Sequence, residues 1–194
     1  VRVDAEELRC QVVGEGGNLG FTQRARITYA LRGGRINTDA IDNSAGVNSS
    51  DLEVNIKIAL GTLLRAGEMT LQVRNEFLAS MTDEVAELCL RNNYLQTLAL
   101  SIAEYRGLAE FPDHVALMET LEERDLLNRE VEFLPTDTVL AERTAAGKAL
   151  TRPELAVLLA YAKNALYADL LESDITDDLY LSRELYRYFP PRLV

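Results

Sequence analysis

The side chains with most scope for chemistry are neutral amides and hydroxyls, gathered in two segments. The first is Gly14-Glu15-Gly16-Gly17-Asn18-Leu19-Gly20. Glycine lets backbone N–H groups approach a ligand closely, and a helix N-terminus behind it adds positive potential. A glycine-rich turn between a strand and a helix is where a dinucleotide is commonly held. The spacing here is G-x-G-x-x-x-G, one residue longer than the usual fingerprint. The acid expected about twenty residues later would be Asp39 or Asp42. Spacing alone therefore leaves two readings, a phosphate-binding turn and a tight turn that binds nothing. The second segment runs from Asn37 to Ser50 and is dense in Asn, Asp, Ser and Thr. Such groups can fix an amide or a carboxylate. With the N–H groups of a helix starting after Ser50, they would make a polar pocket for a small anion. The plainer reading is a solvated loop capped by Ser50.

Other chemistries are poorly supplied. His114 is the sole histidine, and Cys10 and Cys89 are far apart, which leaves no zinc-ligand set and no metal site. No residue stands out as catalytic, because neither segment offers a convincing proton acceptor of tuned pKa. The formal charge of −11 disfavours binding to nucleic acid or to an anionic membrane surface. No apolar run reaches the ~20 residues of a membrane-spanning helix. The segment from Val1 to Glu7 has no signal-peptide shape, so a reduced, cytoplasmic, metal-free protein is expected.

The elements that must position the two segments follow from pattern. Nine of the eleven glycines fall within residues 1–67. Residues 1–35 carry six arginines against four acids, whereas residues 36–194 carry fourteen basic and twenty-seven acidic groups. Residues 8–13 read as a strand, 21–31 as a helix capped by Thr22, and 35–38 as a second strand, which is the grammar of an α/β unit. Ser50 and Glu53 form a capping box for a further helix. Helical patterning then continues, with a long helix from Thr82, one capped by Asp113, one opened by the Thr151–Glu154 capping box, and a last one over 177–188. A soft boundary near residue 67 divides 1–67 from a helical 68–194. His114 reads as a surface or capping residue, Cys10 and Cys89 as buried, and Arg24, Arg26, Arg32 and Arg35 as a solvated or domain-facing set. Tyr180, Tyr186, Tyr188 and Phe189 read as an apolar patch awaiting further protein.

The wording of the motifs adds a resemblance. Val13 to Asn18 resembles the E-G-[AG]-N turn of glutamate dehydrogenases. Asp39 to Val47 resembles that family's D-x-x-x-N-A-G-G-V segment, with Ser50 and Glu53 in the place of its S-x-x-E. The longer runs 12–31 and 33–58, and Ala149 to Asn164, are similar to the large NAD-specific bacterial members. Ser44-Ala45 departs from the usual Ala-Gly, and Asp51 replaces an aromatic.

The resemblance implies a mainly α chain with a small α/β remnant, the end of a Rossmann-like parallel sheet followed by a helical region. It implies oxidative deamination of L-glutamate to 2-oxoglutarate and ammonia, with hydride passing to NAD. Gly16, Gly17, Asn18 and Asn43 would lie on the nicotinamide side, and Asn43, Val47 and Ser50 would meet the substrate. The pyrophosphate fingerprint would lie upstream, so the glycine turn would have a different task. The family's catalytic lysine sits in a glycine-flanked motif of another domain, a setting that none of Lys57, Lys148 and Lys163 has. The chain therefore reads as one piece of a longer polypeptide, inactive alone, whose partners are the rest of that polypeptide and further copies in a homo-oligomer. A second reading is a non-catalytic helical module for interaction or assembly, with a glycine-rich head that is only structural.

Overall fold

The computed structural model describes residues 3–194; Val1 and Arg2, which begin the segment read as lacking a leader, lie outside the described residues. The chain is mainly α-helical, with one two-stranded parallel sheet. Strands β1 (Val12–Val13) and β2 (Arg35–Ile36) pair in the register Val12 to Arg35 and Val13 to Ile36. Parallel neighbours need a crossover, and helix α1 (Gln23–Leu31) provides it. Thr22 caps α1 as its sequence suggests, accepting the Ala25 N–H. The buried Tyr29 of α1 donates its hydroxyl to the Cys10 carbonyl at 2.7 Å. A Cβ on Gly34 would collide with the Tyr29 ring, so glycine is what lets β2 close against α1. Residues 8–11 are not strand, because among the described residues they have no ladder partner.

Helices α2 (Asp39–Asp42) and α3 (Ser44–Arg65) follow. The helix expected after Ser50 thus begins seven residues earlier, and Ser50 sits within it rather than at its cap. Small polar residues are weak helix formers, but here they are fastened. The Ser44 hydroxyl bonds Asn93, and Asn92 donates to Asn48 at 3.0 Å. Further along α3, Leu52, Ile56 and Leu60 recur every four residues and are all buried.

The remaining helices are α4 (Leu71–Ser80), α5 (Thr82–Arg106), α6 (Phe111–Glu123), α7 (Asp137–Ala145), α8 (Arg152–Leu171) and α9 (Ser182–Tyr188). Asp113 lies in the first turn of α6 rather than at its cap, and α9 is shorter than its pattern implied. The Thr151 capping box forms as read. The almost fully buried Glu154 takes the Thr151 N–H at 2.7 Å and both Arg143 Nη atoms at 2.7 and 2.9 Å. Among the described residues, no helix is long and apolar enough to cross a membrane.

Two compact units result. One comprises the chain up to Asn43 with Gln96–Glu172, the other Ser44–Leu95 with Ser173–Val194. The first holds a core of Leu100, Phe111, Met118, Leu121, Leu155 and Leu158, plus the small cluster of Ala5, Tyr29 and Ile36 under the sheet. The second is built on Leu52, Ile56, Leu60, Met81 and Cys89. Residue 67 falls in the turn between α3 and α4. Cys89 is buried as expected, whereas Cys10 is exposed, because it lies before the short paired part of the strand. Tyr180 and Tyr186 are exposed, while Tyr188 and Phe189 pack on the second core.

His114 is half-buried rather than at the surface, against an apolar pocket of about 140 Å³ lined by Leu100, Leu117, Leu155 and Leu158. Its Nδ1 is buried and, among the described residues, has no hydrogen-bond partner. Burial pushes the imidazole below its ordinary value, against the opposing pull of Glu110 and Asp113. The unfolded chain takes up this proton near pH 6.5 and the folded chain only lower, so the contribution of neutral His114 is lost as pH falls from about 6.5 towards the folded value. Between about pH 7.5 and 5.5, thermal melts should show a smaller loss of stability in His114→Leu than in the unaltered chain. Equal losses would contradict this environment.

Candidate functional site

The chain leaves β1 at Val13 and must turn before α1. Glu15 is drawn inward there and is only 5% exposed. Its carboxylate receives Arg26 Nε at 2.6 Å and Nη2 at 2.9 Å, a two-pronged pairing with a guanidinium that is also 5% exposed. It also accepts the Phe21 N–H at 3.0 Å, where the chain enters α1.

Two further carboxylates brace the same turn. Asp39 accepts the Leu19 N–H at 2.9 Å and lies 3.3 Å from Arg26 Nη2. Asp42 accepts the Glu15 N–H at 2.8 Å and the Asn37 side-chain amide at 2.7 Å. Leu19 has φ +63°, a left-handed conformation that a residue with a Cβ adopts at a cost. The Asp39 bond holds it there. Burial alone would raise the Asp39 carboxyl. The Leu19 N–H, the Arg26 charge and the Ala40 N–H outweigh burial and hold the carboxyl below its usual range. Burial likewise works to lower Arg26, but Glu15 and Asp39 prevail and raise it.

The frame brings Asn18 and Asn43 together. Asn43 caps the end of α2, and its Nδ2 donates to Asn18 Oδ1 at 3.1 Å. Among the described residues this leaves Asn18 Nδ2 as a donor and Asn43 Oδ1 as an acceptor without partners. Asn18 is exposed and Asn43 half-exposed. Gly16 and Gly17 lie just before Asn18, and a Cβ on either would meet no atom within 4 Å. Neither has a positive φ. Nothing in this chain requires glycine at these two positions, so the bare backbone faces open space.

Val47 and Ser50 lie on the first turns of α3, both exposed, in the second compact unit. With the helix already under way, the N–H of Ser50 is an interior one. The pocket of free helix N–H groups expected after Ser50 is therefore not formed. Asp39 and Asp42, the candidates for the acid that follows a dinucleotide-binding turn, hold turn amides instead. Arg26 is buried, not solvated. Its pairing with Glu15 spans eleven residues, with no fixed spacing that a helix or strand repeat would show. The one legible hint is an isolated acid among glycines, which a solvated turn does not need. Among the described residues, no group of three His, Cys, Asp or Glu is placed to hold a metal ion.

Residues 1–103 match the family model described as bacterial NAD-glutamate dehydrogenase, catalytic domain, and residues 147–194 match that of glutamate dehydrogenase, C-terminal. The chain belongs to the bacterial NAD-glutamate dehydrogenase family. Proteins named NAD-specific glutamate dehydrogenase from Pseudomonas aeruginosa, Halomonas elongata and Mycobacterium tuberculosis are 52%, 49% and 44% identical to it over 193 residues. The aligned region is the whole of this chain but only 12% of each relative's length.

Removing one partner of a buried ion pair leaves the other charge uncompensated. Arg26→Met should therefore destabilise the chain by about 3–5 kcal/mol in denaturant titration. Glu15→Leu combined with Arg26→Met should recover part of that loss. A single Arg26→Met variant as stable as the parent would show that the pair does not brace the turn.

Proposed function

We propose that this chain is part of an NAD-dependent glutamate dehydrogenase, which oxidatively deaminates L-glutamate to 2-oxoglutarate and ammonia. Its own contribution is the nicotinamide side of the site and part of the substrate side. The observation that carries this is the Asn18–Asn43 pair, braced from behind and left with one donor and one acceptor facing out. Family membership supports the same reading. NAD, when bound, supplies the acceptor for the substrate hydride.

The residues present fit the nicotinamide end of that cofactor. Gly16 and Gly17 admit a flat group against the backbone, since no Cβ stands in the way. Asn18 donates and Asn43 accepts, which suits a carboxamide and fixes its orientation without adding charge. Positioning of this kind is a large share of what a hydride transfer needs from protein. The family resemblance extends the proposal to Val47 and Ser50 as residues of the substrate side.

The chain does not supply the proton acceptor for the amine. Lys57 pairs with Glu53, Lys163 donates to Gln96 at 2.6 Å, and Lys148 is exposed after a glycine turn. None has the glycine-flanked setting of a catalytic lysine, so catalysis awaits the rest of the polypeptide. The exposed Leu90, Ile102 and Tyr105 of α5 favour further protein contact for the helical part.

In the full-length enzyme carrying this segment, Asn43→Ala should lower kcat/KM for glutamate oxidation by about a hundredfold. Asn18→Ala should raise the KM for NAD by about tenfold. The 194-residue chain alone should form no NADH from glutamate and NAD. Unchanged kinetics in both variants would remove the asparagine pair from the site, and turnover by the isolated chain would overturn the division of labour.

A further inference from the structure

Arg152 opens α8, 115 positions after Asn37, yet the two are in direct contact. Its Nε donates to Asn37 Oδ1 at 2.5 Å. Its Nη1 donates to Ser101 Oγ at 3.1 Å and Glu104 Oε2 at 3.0 Å, and its Nη2 to the Thr97 carbonyl at 3.2 Å. One guanidinium thus joins the residue that follows β2 to a face of α5. Only the planar fork of arginine presents donors in enough directions for this; a lysine ammonium on a flexible stem does not.

The consequence lies in the polarity of Asn37. Its Oδ1 is held by Arg152, so its Nδ2 is turned to Asp42 Oδ1 at 2.7 Å. Asp42 in turn accepts the Glu15 N–H and immediately precedes Asn43. Without Arg152 the Asn37 Oδ1 loses its donor, and the side chain is held only by its own bond to Asp42. The donor that Asp42 receives from Asn37 would then be less firmly placed, next in sequence to Asn43.

We propose that Arg152 is a positioning residue for the nicotinamide side of the site. It acts through Asn37 and Asp42 on the Glu15 backbone and on Asn43. This rests on the function proposed above. It also gives Arg152, in the C-terminal matched region of residues 147–194, a defined task on the nicotinamide side, whose proposed residues run from Gly16 to Asn43. A plain anchoring role would tie Arg152 to α5 and leave cofactor binding unaffected.

Steady-state kinetics and melting temperatures of the full-length enzyme separate these roles. Asn37→Asp keeps an acceptor for Arg152 but turns an oxygen on Asp42, so it breaks the relay and leaves the clamp on α5 intact. The expected result is a KM for NAD raised about tenfold, read well below a melting temperature that the second carboxylate beside Asp42 should also lower. Arg152→Gln should show a comparable rise, Arg152→Lys should not restore the parent value, and the Arg152→Gln/Asn37→Asp double variant should be no worse than the stronger single one. An unchanged KM for NAD in Asn37→Asp, or additive effects in the double variant, would overturn the relay. If Arg152→Gln does not fold, Asn37→Asp decides alone. Asn18→Ala run in parallel tells the two failures apart. If it shifts the KM for NAD while Asn37→Asp does not, only the relay is wrong. If neither shifts it, the placing of the nicotinamide is wrong and the relay falls with it.

Discussion

The buried pairing of Glu15 with Arg26 is the constraint on which the turn depends. A glycine-rich segment has many conformations to lose on folding. Its backbone N–H groups also need acceptors wherever water is excluded. Glu15, Asp39 and Asp42 supply those acceptors, taking the N–H groups of Phe21, Leu19 and Glu15 respectively. Carboxylates this close would repel one another unless a cation lay among them. Arg26 touches both Glu15 and Asp39 and is held in turn by its place on α1. The cost of burying these charges is offset only when the geometry is complete, so the turn has one conformation or none.

That rigidity gives two ordinary asparagines a defined direction. Asn18 and Asn43 are far apart in sequence and are joined by one side-chain bond of 3.1 Å. In the proposed site these neutral amides would orient the nicotinamide ring without favouring either of its charge states. The acidic groups nearby are turned inward onto backbone and arginine. The exposed Asn18 is thus a neutral polar group with bare glycine backbone beside it. The same logic recurs at α8, where Glu154 accepts from the Thr151 N–H while Arg143 neutralises it.

Much of this was legible where a local rule applies. Thr22 as a cap, the Thr151–Glu154 capping box, the long helix from Thr82 and the strand–helix–strand unit each follow from short-range spacing, and each is present. What escaped the sequence is long-range. The start of α3 escaped because its weak helix formers are held by Asn92 and Asn93, some forty-five residues on. The burial of Arg26 depends on Glu15 across a turn with no repeat. The reach of Arg152 to Asn37 depends on α8 packing beside the end of β2. Cys10 lies on an apolar pattern but is exposed, because only Val12 and Val13 of its strand are paired. For the proposed site, the motif wording singles out Asn18 and Asn43, while the charged frame behind them has no signature in spacing.

Amide hydrogen exchange in this chain tests the frame most directly. Glu15, Leu19 and Phe21 lie outside every helix and strand, and their N–H groups end on carboxylates. The account predicts that all three exchange about a hundredfold or more slowly than open chain and lose that protection together when Arg26 is replaced. Exchange at open-chain rates in the unaltered protein would contradict it.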